Sequence, residues 1–538
     1  MMKKWFLVGL LLALSITPVL AQETAPSAPW WNDRVFYEIF VRSFYDSDAD
    51  GIGDLQGVIQ KLDYLNDGDP NTTTDLGVTG IWLMPITQSP SYHGYDVTDY
   101  QTVDEDYGTT EDFRELMAAA HERGIAVIVD FVANHTSDQI SWFTASARGD
   151  EDYADWYIWS DTDPGYAGPW GQGVWHQRNG RYFYGVFWSG MPDLNYTNPE
   201  VTETMYDNAR FWLEDMGADG FRMDALRYVV EEDRSMADTD STLEWTANFN
   251  AYMDSINPNS LMVGEVWTDS DTVAQYLDAG SLDLAFEFDL ATAMMSASSS
   301  GSSSIMQSRA ANVNELYPNG QYAAFLTNHD QNRVMSELRS DVNKAKVAAS
   351  LLLTNRGVPF IYYGEEIGMI GEKPDERIRT PMQWELEATT VGFTDARRPW
   401  EPMQSNFTTA NVATQTDDAD SLLSHYRNLI HLRNDHIALR QGDYIAVESG
   451  SRKLYAFIRQ HADETLLVLI NVDDEPITDY ALTLAEGSFT LGTPAVIFGQ
   501  GELTTLTLNT AGGFDAYQPF AEVAPYSTTV IRLASAGE

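Results

Sequence analysis

Residues 110–135 read TEDFRELMAAAHERGIAVIVDFVANH. A helical pattern over Thr110–Glu122 runs into an apolar, strand-like stretch at 125–131, which delivers Asp130 and then Asn134 and His135. Outward from it, similar runs stand at 35–41, 78–84, 220–224, 261–265, 282–288, 322–327 and 358–363. Helical patterns such as 202–216 separate most of them. Short strands alternating with helices imply a parallel sheet. Eight such units favour an α/β fold closed as a (β/α)8 TIM barrel. An open doubly wound sheet is the alternative, but no Gly-rich dinucleotide fingerprint follows any strand.

About sixty residues, 136–196, separate the third strand from its helix, and a connection that long is usually functional or a small domain. It holds fourteen aromatics between Trp142 and Trp188. Some serve as core of a subdomain and others as stacking platforms for sugar rings; the sequence does not sort them. Residues 296–304 form a Ser/Gly tract, read as a flexible loop after the sixth strand. Beyond Asp443 the helical signal stops and alternating β-prone runs at 453–459 and 465–472 predict a C-terminal antiparallel β-sandwich. The expected division is a signal peptide at 1–21, a barrel at 30–135 and 197–442, an inserted domain at 136–196 and a sandwich at 443–538.

The 538-residue chain carries 80 Asp and Glu against 32 Lys and Arg, a formal charge of −48. That balance argues against binding nucleic acid or anionic lipid, which call for basic faces. It reads as a solvated surface that keeps an exported protein soluble. Hydrophobic residues at 43% are too many for a disordered acidic chain. Cysteine is absent, which excludes disulfides, thiolate metal sites and a Cys nucleophile. Lys3 and Lys4, an apolar run from Trp5 to Leu14 and a cut after Ala21 form a secretory signal. A secreted protein, extracellular or periplasmic, and a monomer free of membrane after cleavage is expected.

Active sites of such barrels lie at the C-terminal ends of the strands. There the chain places Asp130 to His135, Arg222 and Asp224, Glu265 and Trp267, and His329 and Asp330. Arg222 and Asp224, two apart on a strand, point to one side. A neighbouring cation lowers a carboxylate pKa, so Arg222 is expected to keep Asp224 ionised as a nucleophile. Val266 and Trp267 provide the apolar setting that raises an acid toward general-acid work at Glu265. Two carboxylates with opposite shifts are the signature of glycoside hydrolysis, with Asp330 as a third acid to grip sugar hydroxyls.

These stretches resemble the alpha-amylase family, glycoside hydrolase family 13, from about Trp31 to the C-terminus. Its four regions correspond to 130–135, 220–228, 264–267 and 325–330. The resemblance implies Asp224 as nucleophile, Glu265 as acid/base and Asp330 as transition-state stabiliser. It implies substrate contacts from Arg222, His135, His329 and His93, with Tyr95 stacking beneath the sugar. The reaction implied is retaining cleavage of α-glucosidic bonds through a covalent glycosyl–Asp224 intermediate. Met191 to Asn195 resemble the fifth region of the group between oligo-1,6-glucosidases and neopullulanases, which includes secreted α-amylases, whereas Arg379 to Trp384 also resemble a stretch of α-glucosidases and trehalose synthases. Tyr92 stands where exo-acting α-glucosidases of the group carry Asp, and Ala225 resembles α-1,4-specific members. Arg227-Tyr228 departs from the Lys-His of many α-amylases. The expected function is an α-amylase acting on starch-like α-glucans and maltooligosaccharides. The alternatives are an α-glucosidase, a maltooligosaccharide transglycosylase or cyclomaltodextrinase, and, from another class, an inactive glucan-binding protein.

Asp46, Asp48, Asp50 and Asp54 punctuate a Gly-containing loop with hard oxygen ligands, a density that suits Ca²⁺. The opening imitates an EF-hand, but position twelve is Gly57 rather than Glu. By resemblance to oligo-1,6-glucosidase-like relatives, Asp46, Asp48, Asp50 and Asp54 supply side chains and Ile52 its carbonyl. Asn134 is a further candidate for a second Ca²⁺ site.

Overall fold

Eight parallel strands close on themselves in the computed structural model, which describes residues 29–386, 390–489 and 491–535. They are β1 (Phe36–Ile39), β2 (Gly80–Leu83), β3 (Ala126–Phe131), β4 (Gly220–Met223), β5 (Leu261–Gly264), β6 (Leu284–Phe286), β7 (Tyr322–Ala324) and β8 (Val358–Tyr362). β1 pairs with both β2 and β8, so the sheet has no edge. Every residue of these strands is buried, which is why each reads as an unbroken apolar run. Phe36, Trp82, Ile128, Leu261, Phe286 and Phe360 fill the barrel interior, with Trp30 and Trp31 packed against them. Gly220 is required where β4 meets β5: a Cβ there would lie 2.1 Å from the Leu261 carbonyl oxygen.

The expected signal peptide lies outside the described residues. The stretch after β3 does carry its own sheet, built from Trp159–Ser160, Arg181–Tyr184 and Trp175–Arg178. Its exit and return are tied together by backbone bonds from Leu194 to Asn134 and from Thr136 to Pro192 (3.0 and 3.1 Å). Trp142, Phe143, Trp156, Tyr157, Trp159 and Phe183 form its internal aromatic cluster.

The Ser/Gly tract departs from its expected loop. Helix Phe288–Ser300 runs through most of it, ends at Gly301 (φ 71°), and helix Ser304–Leu316 follows. The serines are absorbed because their hydroxyls bond back along the helix, Ser298 to Met294 O (2.9 Å) and Ser300 to Ser296 O (2.7 Å).

The C-terminal domain is a five-stranded antiparallel sheet facing the two-stranded pair Leu482–Glu486 and Gly512–Tyr517. Leu454, Ile458, Leu467, Leu482, Phe514 and Ile531 make its core. It meets the barrel at the end of helix Val342–Thr354, where two fully buried arginines converge, one from each domain. Arg433 donates to the carbonyls of Leu353, Asn355 and Gly357; Arg459, from the sandwich, donates to those of Thr354 and Asn355. Guanidinium groups at the carbonyl end of a helix are favourably placed against its dipole.

Candidate active site

The strand register sets the site. Asp130 on β3 and Val263 on β5 both pair with Arg222 on β4, placing Arg222 centrally at the mouth of the barrel. Its guanidinium, 1% exposed, serves three carboxylates. Nη1 donates to both oxygens of Asp130 (3.0 and 2.9 Å) and to Asp224 Oδ1 (2.8 Å), while Nη2 donates to Glu265 Oε2 (2.7 Å). Trp82 lies against the cation, 5.1 Å from its ring centroid. Ala225 adopts a left-handed backbone (φ 47°), and its N–H donates to the same Glu265 oxygen (3.1 Å).

The electrostatics correct one expectation. Arg222 does pair with Asp224, but burial pushes this carboxyl well above the usual range. Arg222 opposes that push, while the neighbouring charges of Glu265, Asp130 and Asp330 reinforce it. One guanidinium is divided among three acids. Asp130 shows the same competition, pushed up to about 6 by burial against the pull of Arg222 and His329.

Asp330 behaves in the opposite way. Its burial is outweighed by His329 and Arg379, which hold it well below the carboxylate range. Arg379 Nη2 donates to Asp330 Oδ1 (2.7 Å), and His329 Nε2 lies 3.1 Å from Oδ2. His329 Nδ1 meets Glu38 Oε1 at 2.6 Å. Burial alone would lower the imidazole pKa, but Asp330 and Glu38 raise it to about 9, so His329 is a cation at neutral pH. Tyr95 stacks on the His329 ring, with centroids 5.6 Å apart and planes 14° apart.

His135 is neutral: burial, followed by the charge of His93, pushes it down to about 3. Its Nδ1 lies 3.3 Å from the Asn134 amide nitrogen, and a hydrogen bond with the Tyr95 backbone opposes part of the lowering. Its Nε2 is buried. His93 accepts from the Tyr95 N–H at Nδ1 (3.1 Å).

Asp224, Glu265, Asp330, Tyr95, His93 and His135 line one cavity of about 800 Å³, with Arg222 and His329 in the layer beneath. Trp170 and Trp188 of the insertion and Trp267 after β5 also line it and are exposed (59%, 52% and 44%). The insertion's aromatics therefore sort into an internal cluster and a cavity wall. Tyr92 is held aside, stacked on Trp400 at 5.4 Å.

Sequence reasoning assigned no role to Glu38, Arg379, or the Lys373–Asp375 ion pair on the cavity rim. Glu38 left a signal, an acid inside the apolar run Phe36–Ile39, since a buried charge demands a partner. Arg379 stood within a stretch noted only for its resemblance.

At the acidic loop, carboxylate oxygens of Asp46, Asp48 and Asp50 come within 4.8 Å of one another. Ala49 (φ 68°) and Gly51 (φ 101°) bend the chain so that they converge. Such an oxygen cluster fits Ca²⁺, whose ligands stand roughly 2.3–2.6 Å from the ion. Asp54 lies outside that trio and caps helix Leu55–Gln60, accepting from Gly57 N (2.6 Å) and Ser47 N (2.8 Å). The Ile52 N–H donates to Asp50 Oδ1 (2.7 Å).

The catalytic-domain model of the alpha-amylase family matches residues 38–442. Alpha-amylase 3 of Dictyoglomus thermophilum is 38% identical over 452 residues, spanning 83% of this chain and 86% of that protein. An oligo-1,6-glucosidase of Parageobacillus thermoglucosidasius is 30% identical over 521 residues, spanning 83% and 91%. Among solved structures, an alpha-amylase from H. orenii is similar at TM-score 0.80 and 43% identity, covering 93% of this chain and 99% of that one.

Proposed function

Because the chain belongs to the alpha-amylase family of glycoside hydrolases, we propose that it is a secreted α-amylase cleaving internal α-1,4 bonds of starch-like glucans with retention. The observation that carries the reading is the single guanidinium of Arg222 bridging Asp224 and Glu265. Carboxylates spanned by one planar fork suit the roughly 5–5.5 Å separation of retaining enzymes, which leaves no room for a water between them. In its ionised form Asp224 attacks the anomeric carbon while Glu265, in its protonated form, gives its proton to the departing glycosidic oxygen. Glu265, now a carboxylate, then takes a proton from the water that displaces Asp224. The anionic Asp330 grips the sugar hydroxyls, which orients the ring for attack. The neutral His135 contacts the same sugar.

Endo attack is supported by the exposed Trp170, Trp188 and Trp267 along the cavity. It is supported too by Tyr92 in place of an acid that would hold a chain end. Asp46, Asp48 and Asp50, with Ile52 and Asp54 adjoining, would hold Ca²⁺, which would supply cross-linking charge to the loop after β1. The N-terminal 21 residues act as the export signal.

Soluble starch followed by iodine staining and chromatography tests the reading. Rapid loss of stain with mixed maltooligosaccharides is expected. Glucose from the outset with persistent stain would favour an α-glucosidase, the reading that the oligo-1,6-glucosidase relative supports.

A further inference from the structure

A second cavity, of about 490 Å³, lies between the sheet of the insertion and the loop after β4. Tyr166, Trp175 and Tyr184 contribute aromatic walls, and Trp175 packs edge-on against both tyrosines (centroids 6.1 and 5.5 Å away). Tyr184 is 1% exposed, yet its hydroxyl has no hydrogen-bond partner among the described residues. The Trp175 indole N–H is buried and unpartnered there as well, while the Glu231 carboxyl beside it is paired with the carboxyl of Asp193. Folded proteins leave few such groups, and two on one cavity wall point to a ligand that satisfies them.

The chemistry of the wall narrows the ligand. Asp155, Glu231 and Asp233 outnumber Arg181, which disfavours an anion. A purely apolar ligand would strand the hydroxyl and the indole N–H, at a cost for each. A neutral pyranose meets all the demands: apolar faces for the rings and hydroxyls that both donate and accept. The size lies within the roughly 300–1,000 Å³ of small-molecule sites. None of its lining residues is shared with the active-site cavity.

We propose that this cavity is a second saccharide-binding site, taking a short α-glucan segment and tethering polymer beside the catalytic cleft; the inference rests on the α-glucan reading above. Full-length Asp224→Asn protein is titrated calorimetrically with maltoheptaose. Two classes of site are expected, and Trp175→Ala should remove one. Trp175→Phe, which keeps a ring but loses the N–H, and Tyr166→Ala, which trims a partly exposed ring, should each weaken that class about tenfold, as loss of an aromatic anchor does. With Asp224 restored, the same changes should reduce adsorption to starch granules while hydrolysis of a short maltoside stays unchanged. A single class of site indifferent to all three variants overturns the proposal and leaves the glucan reading standing. No binding at all overturns the glucan reading itself. Saturable Ca²⁺ binding that Tyr166→Ala leaves intact, with one maltoheptaose class, would make the cavity a cation site instead.

Discussion

Glu38→Gln would remove one of the two carboxylates that keep His329 protonated while leaving an acceptor of the same shape at Nδ1. In the native chain Glu38 Oε1 is 2.6 Å from Nδ1 and Asp330 Oδ2 is 3.1 Å from Nε2. Burial opposes the charge; the two acids overcome it and raise the imidazole from 6.5 to about 9. That difference corresponds to roughly 3 kcal/mol favouring the folded state. Because the folded value lies above the unfolded one, the contribution is complete below pH 6.5 and is lost as pH rises through about 9. The glutamine leaves the burial cost in place and halves the opposing charge. His329 is expected to titrate roughly one to two pH units lower, costing about 1.4–2.7 kcal/mol below pH 6.5. Melting curves at pH 6 and pH 10 should show a large difference between variant and native protein at the first and little at the second. The alkaline limb of kcat/KM for maltoheptaose should move down by the same interval. An equal destabilisation at both pH values, with an unmoved alkaline limb, would refute the reasoning, because Glu38 would then be supplying shape and not charge.

Asp224→Asn should retain fold and glucan binding while lowering kcat by at least about 10³-fold, measured with a chromogenic maltoside; full activity would sink the assigned nucleophile. Arg379→Met removes a charged donor 2.7 Å from Asp330, so the depressed Asp330 pKa should rise and the acid limb of the rate profile move to higher pH. A kcat loss of roughly 10²-fold is expected alongside. Exhaustive chelation should lower the melting temperature by several degrees, since Ca²⁺ at a hundred times its Kd stabilises the fold by about 2.7 kcal/mol. Asp48→Asn should abolish that response, and an unchanged melting curve on chelation would count against the loop as a Ca²⁺ site.

All eight barrel strands were legible because each is buried on both faces and separated from the next by a helical period. The carboxylates at their ends were legible because a strand end fixes direction as well as position. Partnership across the barrel was not: nothing in the run containing Glu38 points to His329, 291 residues later. The upward displacement of Asp224 was also hidden, since Arg222 and Asp224 alone imply a simple ion pair. Only the register of β3, β4 and β5 reveals that Asp130 and Glu265 share the cation. The serine tract was misread because composition reports solubility, whereas backbone-directed hydroxyls decide whether a helix tolerates it.

The two buried arginines at the end of helix Val342–Thr354 bear on how this molecule comes apart. Arg433 belongs to the barrel's last long helix and Arg459 to the sandwich, yet both donate to the Asn355 carbonyl. Detaching the sandwich would leave that oxygen, and the Thr354 carbonyl beside it, without the Arg459 donor in a site built to exclude water. The barrel and the sandwich are thus expected to melt together in a single event, and a fragment cut near Gly442 would begin life with a frayed helix at the back of its own barrel.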